Sequence, residues 1–494
     1  MPVAEPAAAV PLIWQPPAGA LWSGRWVDGA SSMPVHDPED GSFLGRVTDA
    51  GPAEVDEAVT GVATAIASGE SWPAWRRREA LDAAAHLLLR RRELLTEVIS
   101  REGCKTVREA DSEVSRAAET LRLSAQQAGC LTGETLPFSD TPRGHDRLGW
   151  YTREPVGVVA AITPFNDPLN LVAHKMGPAL VGGNGIVLKP AEATPLTALA
   201  FAQILLDAGV PGNRFAIVPG TGSGAGRALV GHPLVDLVSF TGGYRTGNEV
   251  ARTAGAKKTL MELGGNNAVL VLGDADSESA ARAVVAGAFG VAGQNCLSVQ
   301  RVFVDTRIAA RFTRDVVKAT EALRVGSKAD ERTDIGPLVN EREARRVEEW
   351  VREACESGAE VLAGGRREGA FHWPTVLTGV PADARVMTEE VFGPVLTIEP
   401  FDTVDEAVAR ANDTLYGLQA GVFTAGLEIA LDVAQRLRVG AVMVNDSSDF
   451  RIDAMPFGGP GRSGIGREGV RYAVEAMTEP KIVAVRRGAI RADS

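Results

Sequence analysis

Three side chains in separate parts of the sequence could together carry out chemistry on a carbonyl group. Cys296 follows Gly293-Gln294-Asn295 at the end of an apolar helical stretch, Glu262 precedes a Gly-Gly pair, and Asn166 follows a β-branched run. A thiolate is a strong nucleophile, a carboxamide can donate a hydrogen bond to an oxyanion, and a carboxylate can activate water. These residue types together predict nucleophilic acyl chemistry.

A cysteine alone is a weak signal, because a buried thiol usually serves as a small apolar side chain. Cys296 differs because it lies among polar residues at the end of a helical stretch, where a thiol is better placed to react. Cys104 and Cys130 each adjoin a glycine, and Cys355 lies in a charged helical stretch. The four cysteines form no CxxC pair, which favours a reducing compartment and predicts no metal site.

Two glycine-rich segments each join a strand-like stretch to a helix-like one. Residues 220–226 match the pattern G-x-G-x-x-G/A of dinucleotide-binding turns, although a simple tight turn explains the same glycines equally well. Residues 240–247 would let backbone N–H groups approach a pyrophosphate at a helix N-terminus. The segment 240–247 favours a nucleotide site, whereas residues 220–226 alone do not establish a dinucleotide-binding turn.

The tetrapeptide Lys189-Pro190-Ala191-Glu192 stands at the end of another predicted strand. Doubly wound sheets bind nucleotides at their strand ends. There Glu192 could accept hydrogen bonds from ribose hydroxyls and Lys189 could add positive charge. Taken alone, the tetrapeptide is more typical of a surface turn than of a nucleotide site.

Alternating strand-like and helix-like stretches must position these residues. Two long helices are predicted over residues 77–101 and 108–127. From Val156 onward β-branched runs alternate with helical stretches, one of which begins with Thr194 as a predicted N-cap and Pro195 at its first position. The predicted strands cover residues 156–162, 186–188, 215–218, 237–240, 268–272, 301–305, 395–401, 419–423 and 441–445. This order predicts an α/β protein with a doubly wound parallel sheet and a second α/β domain.

Length and composition exclude several classes of protein. The chain of 494 residues is long enough for about three domains. Its 51 Lys plus Arg against 63 Asp plus Glu give a net charge of -12, which argues against nucleic acid and anionic membranes as partners. The longest apolar run, Ala283 to Ala292, is about half of the roughly 20 residues that a membrane span needs. The N-terminus lacks the basic start of a secretory signal, so a soluble, cytoplasmic protein is expected.

Residues 481–487 form an isolated strand-like segment bounded by charges. An exposed strand edge can pair with another subunit. The segment therefore predicts a homo-oligomer, a homodimer or homotetramer, formed partly by strand exchange.

Seven ordered motifs make the chain resemble the aldehyde dehydrogenase superfamily from about residue 21 to residue 487. They are Thr163-Pro164-Phe165-Asn166, Lys189-Pro190-Ala191-Glu192, Phe240-Thr241-Gly242-Gly243, Met261-Glu262-Leu263-Gly264-Gly265, Gly293-Gln294-Asn295-Cys296, Glu389-Glu390-Val391-Phe392-Gly393-Pro394 and Pro456-Phe457-Gly458-Gly459. The resemblance implies a doubly wound cofactor domain, an α/β catalytic domain and a small β oligomerisation arm. The expected domain boundaries are 1–133 with 154–260 for the cofactor, 261–470 for catalysis, and 134–153 with 471–494 for the arm.

By this resemblance, Cys296 attacks the carbon of a small-molecule aldehyde, while the Asn166 amide and the Cys296 backbone N–H hold the oxyanion. Hydride transfer to a nicotinamide leaves a thioester, which a water activated by Glu262 hydrolyses to the free carboxylic acid. Family members that pass the acyl group to coenzyme A typically lack this glutamate, so acyl transfer to coenzyme A is the alternative. A non-catalytic nucleotide-binding family member is a further alternative, disfavoured because all three residues are present.

The resemblance also assigns residues to the cofactor. The expected set is Ile162, Phe165, Lys189, Glu192, Gly222, Gly242, Gly243, Thr246, Gly247, Leu263, Glu390 and Phe392. Glu192 would repel a 2′-phosphate, so NAD is expected, with NADP as the alternative. Gly243 stands where the family often has serine, so one hydrogen bond to the pyrophosphate is expected to be absent.

A substrate pocket is expected around the catalytic residues. The resemblance assigns to it Asp167, His174, Asn295, Arg451 and Phe457. Residues 444–457 look like the subgroup that acts on lactaldehyde and on short aldehydes bearing phosphonate or phosphate, with Arg451 as an anion partner.

Two positions depart from that subgroup, since phosphonoacetaldehyde-type members favour His in place of Asp167 and Arg in place of Asn295. An unpaired carboxylate at residue 167 would disfavour an anionic substrate. Alternatively, Asp167 pairs with Arg451 or His174 and leaves a neutral polar pocket. A short polar or hydroxylated aldehyde is therefore expected first, and an anionic aldehyde second.

Overall fold

The computed structural model describes residues 12–487 of the chain. Its strands are β1 (Ala20–Trp22), β2 (Arg25–Val27), β3 (Ser32–His36), β4 (Phe43–Thr48), β5 (Glu134–Leu136), β6 (Arg147–Pro155), β7 (Val158–Ile162), β8 (Gly185–Lys189), β9 (Phe215–Ile217), β10 (Leu237–Thr241), β11 (Lys258–Glu262), β12 (Asn267–Val271), β13 (Val299–Asp305), β14 (Glu360–Ala363), β15 (Arg367–Glu368), β16 (Phe371–His372), β17 (Thr375–Thr378), β18 (Val395–Phe401), β19 (Gln419–Phe423), β20 (Ala441–Val444), β21 (Gly464–Ile465) and β22 (Thr478–Arg486).

The α-helices of the same residues complete the two α/β layers. They are α1 (Pro52–Ala67), α2 (Ala74–Arg90), α3 (Arg92–Glu102), α4 (Val107–Gln127), α5 (Asn170–Gly182), α6 (Pro195–Asp207), α7 (Arg227–Gly231), α8 (Tyr244–Ala254), α9 (Ser277–Phe289), α10 (Thr306–Glu321), α11 (Glu341–Glu356), α12 (Arg385–Thr388), α13 (Val404–Asn412), α14 (Leu427–Arg436) and α15 (Val470–Ala476).

The first sheet has eight strands in the order β2-β1-β9-β8-β7-β10-β11-β21. Strands β7 to β11 run parallel, and β1, β2 and β21 are antiparallel additions at the two edges. The chain proceeds from β7 to β8 and β9 on one side, then returns to place β10 and β11 on the other. This reversal creates a crevice at the carboxyl ends of β7 and β10, where doubly wound sheets bind their ligands.

Helices cover both faces of the first sheet, which explains why its central strands are apolar throughout. One face packs against α1, α7 and α8, while α2 to α6 and α15 pack on the other. The strand β7, with the sequence Val-Val-Ala-Ala-Ile, is buried at four of its five positions. The predicted doubly wound α/β architecture is confirmed.

The second sheet has seven strands in the order β14-β17-β18-β13-β12-β19-β20. All neighbouring pairs are parallel except β14 with β17. The strands predicted at 395–401 and 419–423 have these bounds in the structure. Helices α9 to α11, α13 and α14 bury this sheet in a separate apolar core.

The third sheet has the strand order β22-β6-β5 and projects from the two α/β layers. β22 pairs with β6 over nine residues, from Thr478 with Pro155 to Arg486 with Arg147. Its other edge is unpaired, and most of its side chains are exposed, including Ile482 and Val485. The strand predicted at 481–487 therefore begins three residues earlier and is held by β6.

Two local predictions differ from the structure. The single helix predicted over 77–101 is two helices, because Arg91 leaves the helical conformation with φ -103° and ψ 24°. Thr194 stands at the start of α6, but its side chain makes no capping hydrogen bond. Glu102, at the end of α3, caps α6 instead by accepting the backbone N–H groups of Leu196 and Thr197, each at 2.7 Å.

A search of residues 12–487 for a helix with the length and apolar character of a membrane span finds none.

Candidate active site

A cleft of about 1540 Å³ lies where the carboxyl edge of the first sheet faces the second α/β layer. Its wall includes most of the residues assigned from sequence: Ile162, Phe165, Asn166, Asp167, Gly242, Gly243, Thr246, Glu262, Leu263, Asn295, Cys296, Glu390, Phe392, Arg451 and Phe457. The segments that follow β7, β10, β11 and α9 therefore meet in one space. Lys189, Glu192, Gly222, Gly247 and His174 do not line it.

Cys296 lies in the loop between α9 and β13 and is half-buried against Leu297, Leu418 and Phe457. Its carbonyl accepts a hydrogen bond of 2.8 Å from the side chain of Asn267. Burial raises the pKa of the thiol above its usual value, and the nearby Glu390 carboxylate raises it further. The resting side chain is therefore a neutral thiol.

Glu262 is the last residue of β11 and is only 2% exposed. Its Oε1 accepts the backbone N–H of Glu468 at 3.0 Å, and no described residue pairs with its Oε2. Burial raises the pKa of Glu262 well above its ordinary value, and the neighbouring Glu468 carboxylate adds to this rise. A carboxyl group with a raised pKa and one unpaired oxygen is suited to exchange a proton with water.

Glu468 is held as the ionised partner of this carboxylate pair. Burial alone would raise its pKa, but Lys175 and Arg451 outweigh burial and lower it. Lys175 Nζ lies 3.6 Å from one Glu468 oxygen, and Arg451 Nη2 lies 3.3 Å from the other. The sequence analysis selected neither Glu468 nor Lys175, because each lies outside the motifs that carry the resemblance.

Asn166 follows β7, and its carboxamide has no hydrogen-bond partner among residues 12–487. The segment after it is held by Glu113 of α4, whose Oε1 accepts the backbone N–H groups of Leu169 and Asn170 at 2.8 and 2.9 Å. Glu113 thereby caps α5, for which Leu169 provides no side-chain cap. The Asn166 amide is thus fixed at the cleft while its donor stays available.

Asp167 is paired, but with partners other than those expected. Its carboxylate contacts Lys105 Nζ and lies 3.4 Å from Arg116 Nη1. Burial would raise its pKa, but these two cations outweigh burial and lower it. The expected pairing with Arg451 or His174 is wrong, because Lys105, just before α4, and Arg116, in the middle of α4, bring two closer cations to this wall.

His174 lies behind the cleft wall. Its Nε2 is 2.9 Å from Asp453 and 3.4 Å from Arg451 Nη2. Arg451 stacks on the ring of Phe457, with the guanidinium carbon 3.8 Å from the ring centroid. The structure thus excludes His174 from direct contact with the cleft and makes it a support for Arg451.

Asn295 is also engaged, since its side-chain amide donates to Asp449. Burial raises the pKa of Asp449 to about 6. Both residues line the cleft beside Cys296. Asp449 comes from the loop after β20, so this contact joins the nucleophile loop to that part of the wall.

Two cofactor residues at one end of the cleft agree with a dinucleotide site. Gly243 precedes the first turn of α8, and a Cβ placed on it would meet nothing within 4 Å, so the helix N-terminus is open to an anion. Glu390 accepts the backbone N–H of Gly265 at 3.0 Å, and burial raises its pKa to about 7. A Cβ on Gly264 would collide with the same carboxylate.

Two aromatic rings in the wall of the cleft contact each other. Phe165 and Phe392 meet edge to face with centroids 5.7 Å apart. Phe392 has φ 46°, a left-handed conformation that its loop must hold in place. Both rings line the same cleft as Cys296.

The remaining cofactor residues form a second cluster outside the cleft. Glu192 accepts the backbone N–H of Gly222 at 2.6 Å, and Lys189 ends β8 in the same region. Burial lowers the pKa of Lys189 to about 8. Gly247 belongs to neither group, because it lets α8 pack on Leu263, where a Cβ would approach to 2.5 Å.

Lys105, Glu113 and Arg116 line the cleft but were missed by the sequence analysis. A signal existed, since Glu109, Glu113 and Arg116 recur at helical spacing along one face of α4. A charged stripe on a helix usually faces solvent, whereas here it faces the cleft.

Comparisons with known proteins agree with this geometry. A family model described as "Aldehyde dehydrogenase family" matches residues 26–483. The 3-sulfolactaldehyde dehydrogenase of Priestia aryabhattai is 43% identical over 467 residues, which cover 94% of this chain and 98% of that protein. The lactaldehyde dehydrogenase of Methanococcus maripaludis strain C7 is 39% identical, with 80% and 84% covered.

Solved structures give the same result at the level of the fold. The NADP-dependent glyceraldehyde-3-phosphate dehydrogenase from Bacillus halodurans C-125, complexed with NADP, superposes with a TM-score of 0.92. It is 36% identical, and the match covers 95% of this chain and 99% of that one. On the family match and these relatives, the chain belongs to the aldehyde dehydrogenase family.

Proposed function

We propose that this aldehyde dehydrogenase oxidises a short aldehyde to the free carboxylic acid, with Cys296 as the nucleophile. The observation that carries the proposal is the meeting of three groups in one cleft: the Cys296 thiol, the unpaired Asn166 carboxamide and the unpaired Oε2 of Glu262. They come from different elements of two α/β layers, and a structural role would not require all three at one cleft.

The first step is attack of the Cys296 sulfur on the aldehyde carbon. The thiol releases its proton to solvent, an S–C bond forms, and the π bond of the carbonyl breaks so that its oxygen becomes an oxyanion. The side-chain amide of Asn166 and the backbone N–H of Cys296 donate hydrogen bonds to that oxyanion. One such donor lowers the barrier by about 3 to 4 kcal/mol in comparable sites.

The cofactor is NAD or NADP, and when bound it supplies the acceptor for the hydride that leaves the aldehyde carbon. The open N-terminus of α8 would hold its pyrophosphate, and Glu390 would accept hydrogen bonds from a ribose. Phe165 and Phe392 would confine its planar ring. These residues fit a dinucleotide, because no side chain caps the N-terminus of α8 and no side chain donates a hydrogen bond to Glu390 among the described residues.

The last step is hydrolysis of the Cys296 thioester. Glu262 takes a proton from a water molecule through its unpaired Oε2, and the resulting hydroxide attacks the thioester carbon. The C–S bond breaks, and the carboxylic acid leaves. Glu262 at this position favours water over coenzyme A as the acyl acceptor.

We propose NAD as the preferred cofactor. The carboxylate of Glu192 is fixed by the Gly222 N–H, so it would stand against a 2′-phosphate at the adenine ribose. The solved relative bound to NADP belongs to the same family, so the fold itself does not decide the preference. A larger kcat/KM with NADP than with NAD would contradict this assignment.

The substrate is proposed to be a short polar or hydroxylated aldehyde. The wall beyond Cys296 is lined by charged groups that are already paired with one another, such as Asp167 with Lys105. An anionic aldehyde is the second candidate, favoured by Arg116, which is 36% exposed and holds its carboxylate partners only at 3.4 Å. The pairing of Asp167 removes the repulsion that an unpaired carboxylate would exert on such a substrate.

We also infer that the chain assembles as a homo-oligomer through the third sheet. The free edge of β22 and its exposed apolar side chains offer a pairing surface to another copy.

The chemical proposal is tested by two variants in a rapid-mixing assay of NADH absorbance. Cys296→Ala should form no NADH while still binding NAD. Glu262→Gln should form one equivalent of NADH rapidly and then stall, because hydride transfer precedes hydrolysis. Turnover by Cys296→Ala, or full steady-state turnover by Glu262→Gln, would overturn the assigned roles.

The same assay has a defined pH dependence. Because the pKa of Glu262 is raised, its carboxyl remains protonated at pH values where a free glutamate is ionised, so the hydrolysis rate should rise as pH increases. The rise should be absent from the residual hydrolysis of Glu262→Gln. Free acid formed without coenzyme A separates hydrolysis from acyl transfer to coenzyme A.

A further inference from the structure

The loop that carries Cys296 begins with a left-handed turn. Val291 has φ 53° and ψ 35°, and Ala292 has φ 52° and ψ 38°. Gly293 follows with φ 70°. Three consecutive residues in this conformation, two of them with side chains, reverse the chain between the end of α9 and the nucleophile.

The conformation is unfavourable for the residues that adopt it. A Cβ crowds the backbone when φ is positive, and a β-branched side chain such as that of Val291 suffers most. Backbone of this kind persists only where the surroundings hold it. The position of Cys296 therefore depends on contacts that keep Val291 in the left-handed region.

Glu109 makes the contact that crosses to another part of the fold. Its Oε1 accepts the backbone N–H of Val291 at 2.7 Å. Its Oε2 accepts the backbone N–H and the hydroxyl of Thr106, both at 2.9 Å, at the start of α4. One carboxylate thus joins the N-terminus of α4, which packs on the first sheet, to the turn before the nucleophile.

Gln294 holds the other side of the turn. Its side-chain amide donates to the carbonyl of Val291 at 3.0 Å, and its carbonyl oxygen accepts the N–H of Val339 at 2.8 Å. These bonds stay within the second α/β layer. Glu109 is therefore the residue through which the first layer fixes the turn.

We propose that Glu109 is a positioning residue for Cys296: by binding the Val291 N–H it keeps the left-handed turn and so holds the thiol at the cleft. The inference rests on the proposed role of Cys296. Glu109 lines the cleft, but it acts on Cys296 only through the backbone of residues 291–293, because its carboxylate binds the Val291 N–H.

The experiment measures the second-order rate of alkylation of Cys296 by iodoacetamide in the protein without cofactor or aldehyde. Mass spectrometry of the Cys296 peptide separates it from the other three cysteines. Glu109→Ala should lower this rate about tenfold, as expected for the loss of one hydrogen bond to a charged acceptor. It should lower kcat in parallel and leave KM for NAD within about twofold, since the cofactor residues are untouched.

A double variant distinguishes positioning from a general structural effect. Glycine adopts positive φ without penalty, so Val291→Gly should reduce the need for the tether. Glu109→Ala should therefore cost less than about threefold in alkylation rate when residue 291 is glycine, a coupling that contacting residues show. An equal loss in both backgrounds would overturn the proposal.

Two controls complete the test. Glu109→Gln keeps an acceptor oxygen for Val291 and should stay within about threefold of the parent rate. Thr403→Ala removes the hydroxyl cap of α13, which lies away from the cleft, and should lower the melting temperature while the alkylation rate of the folded protein is unchanged. An unchanged rate in Glu109→Ala would overturn the proposal, whereas turnover by Cys296→Ala would overturn the proposed function itself.

Discussion

The effect of a charged residue in the cleft on substrate binding depends on whether a neighbouring side chain pairs with it. An unpaired carboxylate at Asp167, next to Asn166, would disfavour an anionic substrate. Asp167 is paired with Lys105 and Arg116, so its charge no longer disfavours an anionic substrate. Arg116 lies 3.4 Å from Asp167 and is the cation of the wall that could bind such a substrate. The choice between a polar and an anionic aldehyde therefore depends on Arg116.

A kinetic panel with Arg116→Met tests this choice. We expect kcat/KM to be higher for lactaldehyde and glycolaldehyde than for succinic semialdehyde and phosphonoacetaldehyde, and the variant to change all four by a similar factor. If the natural substrate carries an anionic group, kcat/KM should instead be higher for succinic semialdehyde and phosphonoacetaldehyde. In that case Arg116→Met loses about tenfold or more on the two anionic aldehydes alone, as one charge-assisted hydrogen bond predicts.

Cys296, Glu262 and Asn166 were predicted from the sequence because each is a chemically suitable residue type near a strand or helix end, inside a recognisable motif. Lys105 and Glu113 gave no such signal, since a lysine and a glutamate near the start of a polar helix are typical of a solvated face. Their burial results from the packing of α4 beside the cleft, which is a tertiary contact. The helical spacing of Glu109, Glu113 and Arg116 shows that they share one face of α4, but it does not show that this face turns towards the cleft.

At the scale of elements, sequence predicted the strands better than the helix ends. Strand residues are predicted from short runs rich in apolar and β-branched side chains, and the strand β18, which contains Val395, Thr397 and Ile398, was predicted with its observed bounds. Helix ends depend on single residues, which is why the break at Arg91 and the true cap of α6 were missed. Glu102 caps α6 from another helix, and no rule about neighbouring residues anticipates that.

The cap of α6 gives a matched pair of stability predictions. Glu102→Ala leaves two buried N–H groups without a partner and should lower the free energy of unfolding by about 3 kcal/mol. Thr194→Ala should change it by less than about 0.5 kcal/mol, because the hydroxyl of Thr194 makes no hydrogen bond. Urea unfolding of both variants measures the difference, and equal losses would mean that Thr194 does cap the helix.

At the scale of the whole molecule, the third sheet has an edge strand, β22, whose outer edge pairs with no strand among the described residues. Ile482 of β22 is 62% exposed although it stands in the middle of the strand. An aspartate there would add a charge that pairing with another subunit must bury. Assembly should weaken for this reason alone, since the side chain has little contact with its own chain.

Ile482→Asp is therefore expected to lower the mass measured by light scattering and to leave the far-ultraviolet circular dichroism unchanged. Leu234→Asp, an exposed apolar position outside the arm, is the matched control and should keep the parent mass. A parent protein with the mass of a monomer would contradict assembly through β22.

The bond between Glu262 and the backbone of Glu468 joins positions 206 residues apart in the chain. During synthesis, Glu262 is therefore made long before the segment that fixes its orientation. A nascent chain that ends between residues 297 and 467 contains Cys296 and Glu262, the proposed nucleophile and base, but lacks the backbone N–H that anchors the Glu262 carboxylate. The ability to hydrolyse the thioester should therefore be acquired only near the completion of translation, when the segment that contains Glu468 packs at the cleft.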